Sequence, residues 1–310
     1  MPTDTAPIVF PRSLRVAVAS GKGGTGKTLV ATGLAALAAE AGSRVALIDC
    51  DVEAPNDHLF LAVDSLVSSP VMVPVAVVDS ALCTGCGTCR DECAYGAPRV
   101  FGSTAVVFEE MCHGCGLCTR ACPQGAIHEE PRRIGEMTAG STTSPEGIVL
   151  VSGRLDVGQV KAPPIIREVR TRGEGVGADL VVLDAPPGVA CATVESVRGA
   201  DVLLLVTEPT PFGLHDLALA RQLGDSLGIP MAIVLNRDGG NGTDLDDRSA
   251  AWDVPIVARI PFQRRIAEVY AGGGNAALEV RAVGHALRAV LAALPDLTGE
   301  AAPDEGAWWG

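Results

Sequence analysis

The stretch Gly21-Lys22-Gly23-Gly24-Thr25-Gly26-Lys27-Thr28 constrains this chain more than any other, because it fixes a local shape and a ligand chemistry together. It fits G-x-x-x-x-G-K-[ST]. It falls between residues 14–20, an apolar run rich in branched side chains, and an alanine-rich apolar run reaching about residue 41. That order predicts strand, glycine loop and helix. Gly21, Gly23, Gly24 and Gly26 let the backbone N–H groups around Thr25 curl about phosphate oxygens, and the helix N-terminus adds its dipole. In such a loop Lys27 neutralises the β- and γ-phosphates, and the Thr28 hydroxyl ligates Mg2+.

Gly42 is a suitable helix stop, and residues 44–49 read as a second buried strand, which makes a βαβ unit with a parallel sheet. The alternation breaks over residues 66–128. It resumes with apolar runs at 180–184, 201–207 and 231–235, short enough and continuous enough for strands buried on both faces. Helical patterns cover 214–227, 264–271 and 279–294, while the serines, threonines and proline of 140–147 read as a linker.

The interrupting segment holds eight of the ten cysteines. Cys83, Cys86, Cys89 and Cys93 form C-x2-C-x2-C-x3-C, and Cys112, Cys115, Cys118 and Cys122, followed by Pro123, repeat it. This is the spacing of bacterial two-cluster ferredoxins, in which the fourth cysteine of each run ligates the other cluster. The expectation is one 4Fe–4S cluster on Cys83, Cys86, Cys89 and Cys122, and a second on Cys112, Cys115, Cys118 and Cys93. Zinc sites favour paired C-x2-C knuckles instead. One departure is Ala94, where a proline would follow Cys93. Cys50 and Cys191 stand outside the pattern, and a lone cysteine among apolar neighbours is usually a small buried hydrophobe.

Lys22, a second lysine at the start of the phosphate loop, resembles the deviant P-loop of the MinD/Mrp/nitrogenase-iron-protein class. The resemblance implies an ATP-dependent homodimer in which Lys22 reaches the partner's nucleotide, with ATP or ADP and Mg2+ as ligands. It makes Lys22, Lys27, Asp51 and Asp184 the catalytic set. Asp51 in Ile48-Asp49-Cys50-Asp51 matches switch I and orients the attacking water. Asp184, ending the run before Ala185-Pro186-Pro187-Gly188, matches Walker B and holds a Mg2+-bound water, while the Gly188 N–H senses the γ-phosphate. Asn236 matches the adenine-contacting asparagine, and Ile260-Pro261-Phe262 a loop beside the base. Segment 208–216, which begins Glu208-Pro209-Thr210-Pro211, is similar to that group too.

The fold expected is an α/β, parallel-sheet, MinD-like P-loop NTPase with an inserted small α+β bacterial-ferredoxin-like domain. Its divisions are residues 1–65 and 147–295 for the ATPase, 66–146 for the insertion, and 296–310 for a flexible acidic tail carrying Trp308 and Trp309. Three roles suit the resemblance: a nucleotide-gated electron-transfer or redox-sensing device, an Mrp-like iron–sulfur carrier, and a MinD/ParA-like spatial regulator. Mrp-type carriers have a C-x-x-C near the C-terminus, and no cysteine follows Cys191 here. A redox or iron–sulfur protein is the expected partner. Net charge −13 and a pI near 4.8 argue against nucleic acid and against stable adsorption to anionic membranes. No signal pattern or long apolar run is present, so the expected location is the cytoplasm.

Overall fold

Apolar runs of five or six residues become the inner strands of a sheet, because they can be buried on both faces. The computed structural model describes residue 10, residues 12–240 and residues 244–298. Most of the arm at 1–11 and the tail from 299 on, including Trp308 and Trp309, lie outside the described residues. In chain order the elements are β1 (Leu14–Ala19), α1 (Lys27–Glu40), β2 (Val45–Asp49), β3 (Ala62–Val78), α2 (Thr88–Asp91), β4 (Pro98–Phe101), β5 (Thr104–Val107), α3 (Leu117–Ala121), β6 (Ile127–Ser144), β7 (Glu146–Leu155) and α4 (Ala162–Glu174). There follow β8 (Leu180–Asp184), α5 (Cys191–Val197), β9 (Val202–Thr207), α6 (Pro211–Leu227), β10 (Met231–Asp238), α7 (Asp244–Trp252), β11 (Ile256–Pro261), α8 (Arg264–Ala271), α9 (Ala276–Glu279) and α10 (Arg281–Leu297).

The chain divides into two compact units, residues 1–68, 137–154 and 166–310, and residues 69–136 and 155–165. The larger is an α/β fold built on a mostly parallel sheet. The sheet runs in the order β11-β10-β9-β1-β8-β2-β7-β6-β3, and every pairing from β11 through to β7 is parallel. Its register pairs Asp49 with Asp184 and Val18 with Asp184, so the carboxyl ends of β1, β2 and β8 share one edge. Ligands of open parallel sheets bind at that edge.

α1 carries alanine on nearly every side and is buried all round, because α9 and α10 cover it. Gly33 permits the approach: a Cβ there would lie 2.5 Å from Leu287 Cδ1 and 2.9 Å from Ala277 Cβ. The helix stops where Gly42 turns left-handed at φ +89°, and the N–H groups of Gly42 and Ser43 return to Ala39 and Ala38.

Three local expectations need correction. Residues 140–147 are no linker, since β6 continues through Ser144 and β7 starts at Glu146. There Thr142 donates to the Pro145 carbonyl and Thr143 to the Ala62 carbonyl, and threonine suits strands as well as loops. The helix expected over 279–294 breaks at Val280 into α9 and α10, with Asn275 capping α9 by accepting from Ala277 N. Pro261 ends strand β11 instead of lying in a loop. Sequence patterning also passed over α4, whose Pro163 and Pro164 sit in the first turn, where proline costs a helix nothing.

The smaller unit pairs β4 with β5 antiparallel and opens α2 and α3 behind left-handed glycines, Gly87 at φ +86° and Gly116 at φ +69°. Its core is Val75, Ala76, Cys89, Ala97, Ala105, Cys112 and Ile127, with four more half-buried cysteines against it. Among the described residues no helix is long and apolar enough to cross a membrane.

Candidate functional site

The loop after β1 is held open by glycine where side chains would collide. A Cβ on Gly21 would meet the Asp216 carbonyl, and one on Gly26 (φ +97°) the Asn236 amide. Ser20 Oγ donates to the Lys22 carbonyl at 2.6 Å, which tightens the turn. At the head of α1, Thr28 Oγ1 donates to Asp184 Oδ2 at 2.6 Å. Lys27 is buried beside them. Desolvation lowers its pKa, against the opposing pull of Asp184 and then Asp51.

Three fully buried carboxylates gather here, two of them supplied by the register of β2 with β8. Asp49 accepts from the backbone N–H groups of Asp51, Asn56 and Asp57 at 3.1, 2.8 and 3.2 Å. Both oxygens of Asp57, Oδ1 of Asp184 and Oγ1 of Thr25 are buried with no hydrogen-bond partner among the described residues. Burial pushes Asp184 up to about 6, although Thr28 and Lys27 pull it down. Asp49 and Asp57 are raised well above the carboxylate range by burial and then by neighbouring negative charge. Asp51 is only partly buried, and is raised by burial against the pull of Lys27. Orphaned hard oxygens beside a threonine hydroxyl, in a pocket short of positive charge, fit Mg2+.

A cavity of about 310 Å3 adjoins the loop, lined by Gly24, Gly26, Leu29, Asn236, Pro261 and Tyr270 among others. Asn236 and Pro261 are thus brought together. The Asn236 amide is already engaged: Nδ2 donates to Thr25 O at 2.7 Å, and Oδ1 accepts from Arg237 N at 2.9 Å. The Tyr270 ring stacks on Phe60 with centroids 4.2 Å apart. Its pKa is pushed up to about 12 by burial and the charges of Asp184 and Asp57, against an opposing pull from Thr28.

Two further residues are occupied within the chain. Lys22 Nζ lies 3.7 Å from the Glu208 carboxylate, which also pairs with Arg237 at 2.6 Å. The Gly188 N–H, at φ +90°, donates to Ser20 O at 3.0 Å. Sequence reasoning missed Asp57, Glu208, Phe60 and Tyr270 as site residues. The available signals were Asn56-Asp57 closely following Asp51, and Glu208 at the head of the family-like segment 208–216.

In the smaller unit the eight cysteines sort around two cavities. Cys83, Cys86, Cys89 and Cys122 line one of about 20 Å3, and Cys93, Cys112, Cys115 and Cys118 line one of about 350 Å3. Gly85, Gly87, Gly114 and Gly116 are all left-handed, and a Cβ on Gly114 would come within 2.5 Å of the Pro74 carbonyl. Backbone N–H groups face sulfur: Ala105 N donates to Cys83 Sγ at 3.4 Å and Ala126 N to Cys122 Sγ at 3.3 Å. The N–H groups of Gly85 and Ala105 hold the Cys83 thiol below its usual pKa. Among the described residues no three His, Cys, Asp or Glu side chains close on a single metal ion. Lys161 Nζ donates to the carbonyls of Glu109 and Cys112, each at 2.6 Å. Tyr95 stacks on His113 at 3.6 Å. Cys50 is buried, with its thiol pKa raised, whereas Cys191 is exposed at the start of α5.

Residues 16–275 match the family described as the CobQ/CobB/MinD/ParA nucleotide binding domain. An uncharacterised Methanocaldococcus jannaschii protein, MJ0578, is 32% identical over 251 residues, which cover 80% of this chain and 84% of the relative. From the same organism, the uncharacterised ATP-binding protein MJ0547 is 22% identical over 84% of this chain and 79% of its own length. Among solved structures, the septum site-determining protein MinD of Pyrococcus horikoshii, complexed with Mg-ADP, shares the fold. Its TM-score is 0.59 at 20% identity, covering 93% of this chain and 98% of that one.

Proposed function

The chain belongs to the CobQ/CobB/MinD/ParA nucleotide-binding family, and on that premise we propose that it is a Mg2+-dependent, ATP-hydrolysing switch that also carries two 4Fe–4S clusters for electron transfer or redox sensing. The loop amides around Gly23, Gly24, Thr25 and Gly26 bind the phosphates, and Lys27 neutralises them. Thr28 would hold Mg2+ and Asp184 a water bound to it; the ion would supply positive charge against the β- and γ-phosphates. Asp51 orients the attacking water. Asn236 and Pro261 flank the base.

The in-chain pair of Lys22 with Glu208 supports a switch. In a homodimer closed on ATP, Lys22 would exchange Glu208 for the partner's nucleotide, and Gly188 would release Ser20 to meet the γ-phosphate. The location is taken as the cytoplasm, with a redox or iron–sulfur protein as partner.

The single observation that carries the cluster reading is the sorting of the cysteines. Each cavity collects three cysteines of one run and the fourth of the other, the crossed pattern of two-cluster ferredoxins. Around the larger cavity, about 350 Å3, four cysteines not closed on a point suit a multi-iron group; the smaller, about 20 Å3, has room for about one water, and its loop would have to open to take such a group. Bound there, 4Fe–4S clusters supply one-electron transfer. In the chain the cysteine segment leaves after Asp51 and returns before Asp184, which motivates a link between nucleotide state and redox chemistry. The proposed ferredoxin-like insertion is thus the smaller unit, residues 69–136 with 155–165, in place of the 66–146 expected between ATPase segments 1–65 and 147–295.

The test is anaerobic purification, metal and sulfide analysis, and an ATPase assay with and without Mg2+. The reading requires about eight irons and eight sulfides per chain, with hydrolysis that needs Mg2+ and is abolished by Lys27→Ala. Zinc without sulfide would refute the cluster half and leave the ATPase half standing.

A further inference from the structure

Lysine is rare in this chain: Lys22, Lys27 and Lys161 are the only three, and arginine supplies every other permanent cation. Two belong to the phosphate loop. The third lies in the smaller unit, in segment 155–165. This segment is clipped at two points, by Asp156 to Arg133 Nε at 2.8 Å and by Lys161 to the carbonyls of Glu109 and Cys112. Cys112 opens the second cysteine run, and its side chain is buried.

The two cysteine centres are therefore charged differently. At the Cys112 loop, Lys161 donates to two neutral carbonyls, and no carboxylate within ion-pair distance of it is found among the described residues. The nearby Glu109 carboxylate is turned to Arg132 at 3.4 Å. Arg120 also reaches this loop, donating to Cys115 O at 3.4 Å, and Glu92 and Glu129 line the same cavity, so Lys161 and Arg120 stand against two acidic residues there. At the Cys83 loop the cation is Arg90, which lies over Gly87 and is matched by Asp91 at 2.8 Å. A compact ammonium reaches two carbonyls from one point, which a planar guanidinium does less well. A fixed positive charge favours the reduced, more negative form of a cluster.

We propose that Lys161 makes the two clusters unequal. Its charge, fixed on the Cys112 loop, makes the cluster on Cys93, Cys112, Cys115 and Cys118 the easier to reduce, so that a single added electron rests there. This inference builds on the cluster reading above. Lys161 is a positioning residue that acts through the Cys112 loop and ligates nothing itself.

The test uses the full-length protein, purified without oxygen, as wild type, Lys161→Gln and Lys161→Arg. Iron and sulfide are counted, and the clusters are then titrated with dithionite under EPR. Wild type should show two one-electron steps. In K161Q the step at higher potential should move down, with about a tenfold lower reduced-to-oxidised ratio at a fixed potential, ~59 mV for one electron. The lower step should stay in place, and K161R should retain most of the wild-type behaviour. Eight irons in K161Q with neither step moved, or with both moved equally, overturns the inference alone. Loss of about four irons from K161Q and K161R alike also overturns it, since a purely structural clip would do that. Loss from K161Q only, with K161R intact, also overturns it, since the charge would then hold the cluster in place and not set its potential. A wild-type protein without iron and sulfide overturns the cluster reading and this inference together.

Discussion

The two units organise their chemistry in opposite ways. In the larger, Asp49, Asp57 and Asp184 are set into a sheet edge and packed to 2% exposure or less before any ligand arrives. The fold bears the cost, visible in raised carboxylate pKa values and oxygens without partners. In the smaller, the reactive groups are themselves core residues, with Cys89 and Cys112 among the seven residues of its apolar core cluster. A small core has little to spare. On the proposed reading, the nucleotide unit is a finished scaffold set to receive a cation, whereas the cysteine unit would be completed by what its cysteines hold.

The comparison is broken most severely by removing a cluster ligand. Cys112→Ala should cost about four of eight irons and most amide-exchange protection in residues 69–136, because ligand binding and folding are one transaction in such small sites. ATP binding should persist. Equal loss of protection in both units would contradict the contrast. Lys27→Ala should weaken ATP binding about 100-fold by calorimetry, with iron content unchanged.

A smaller effect separates strain from function. Asp184→Asn should abolish hydrolysis yet stabilise the nucleotide-free protein at pH 7 by about 1–3 kcal/mol in urea unfolding. The sign follows from burial. A raised folded pKa means stability is full below the usual carboxylate range and falls as pH rises from about 4 through 6. That slope should be shallower in the variant, and an unchanged slope would count against the assignment. Smallest of all, Glu208→Gln should free Lys22 and tighten the ATP-bound dimer about threefold, read by sedimentation; 3.7 Å pairs with partial exposure are weak.

Legibility in the sequence followed how local the chemistry is. The phosphate loop and both cysteine runs are contiguous patterns, so their residues could be named from spacing alone. Asp57 could not, because its importance comes from burial between Asp49 and Asp184, which only the β2–β8 register creates. Glu208 lies far from Lys22 in sequence, and Lys161 is remote from Cys112, whose carbonyl it meets. The misreading of 140–147 has a similar origin: serine, threonine and glycine suggest a linker until strand pairing gives them partners.

The most direct test of the central account, one chain holding an ATP switch and two clusters, is the EPR spectrum of the dithionite-reduced, anaerobically purified protein with and without Mg-ATP. The account predicts signals integrating to about two spins per chain, with line shape or potential altered by Mg-ATP in wild type and not in Lys27→Ala. A protein that binds Mg-ATP but shows no iron–sulfur signal, or signals indifferent to the nucleotide, would contradict it.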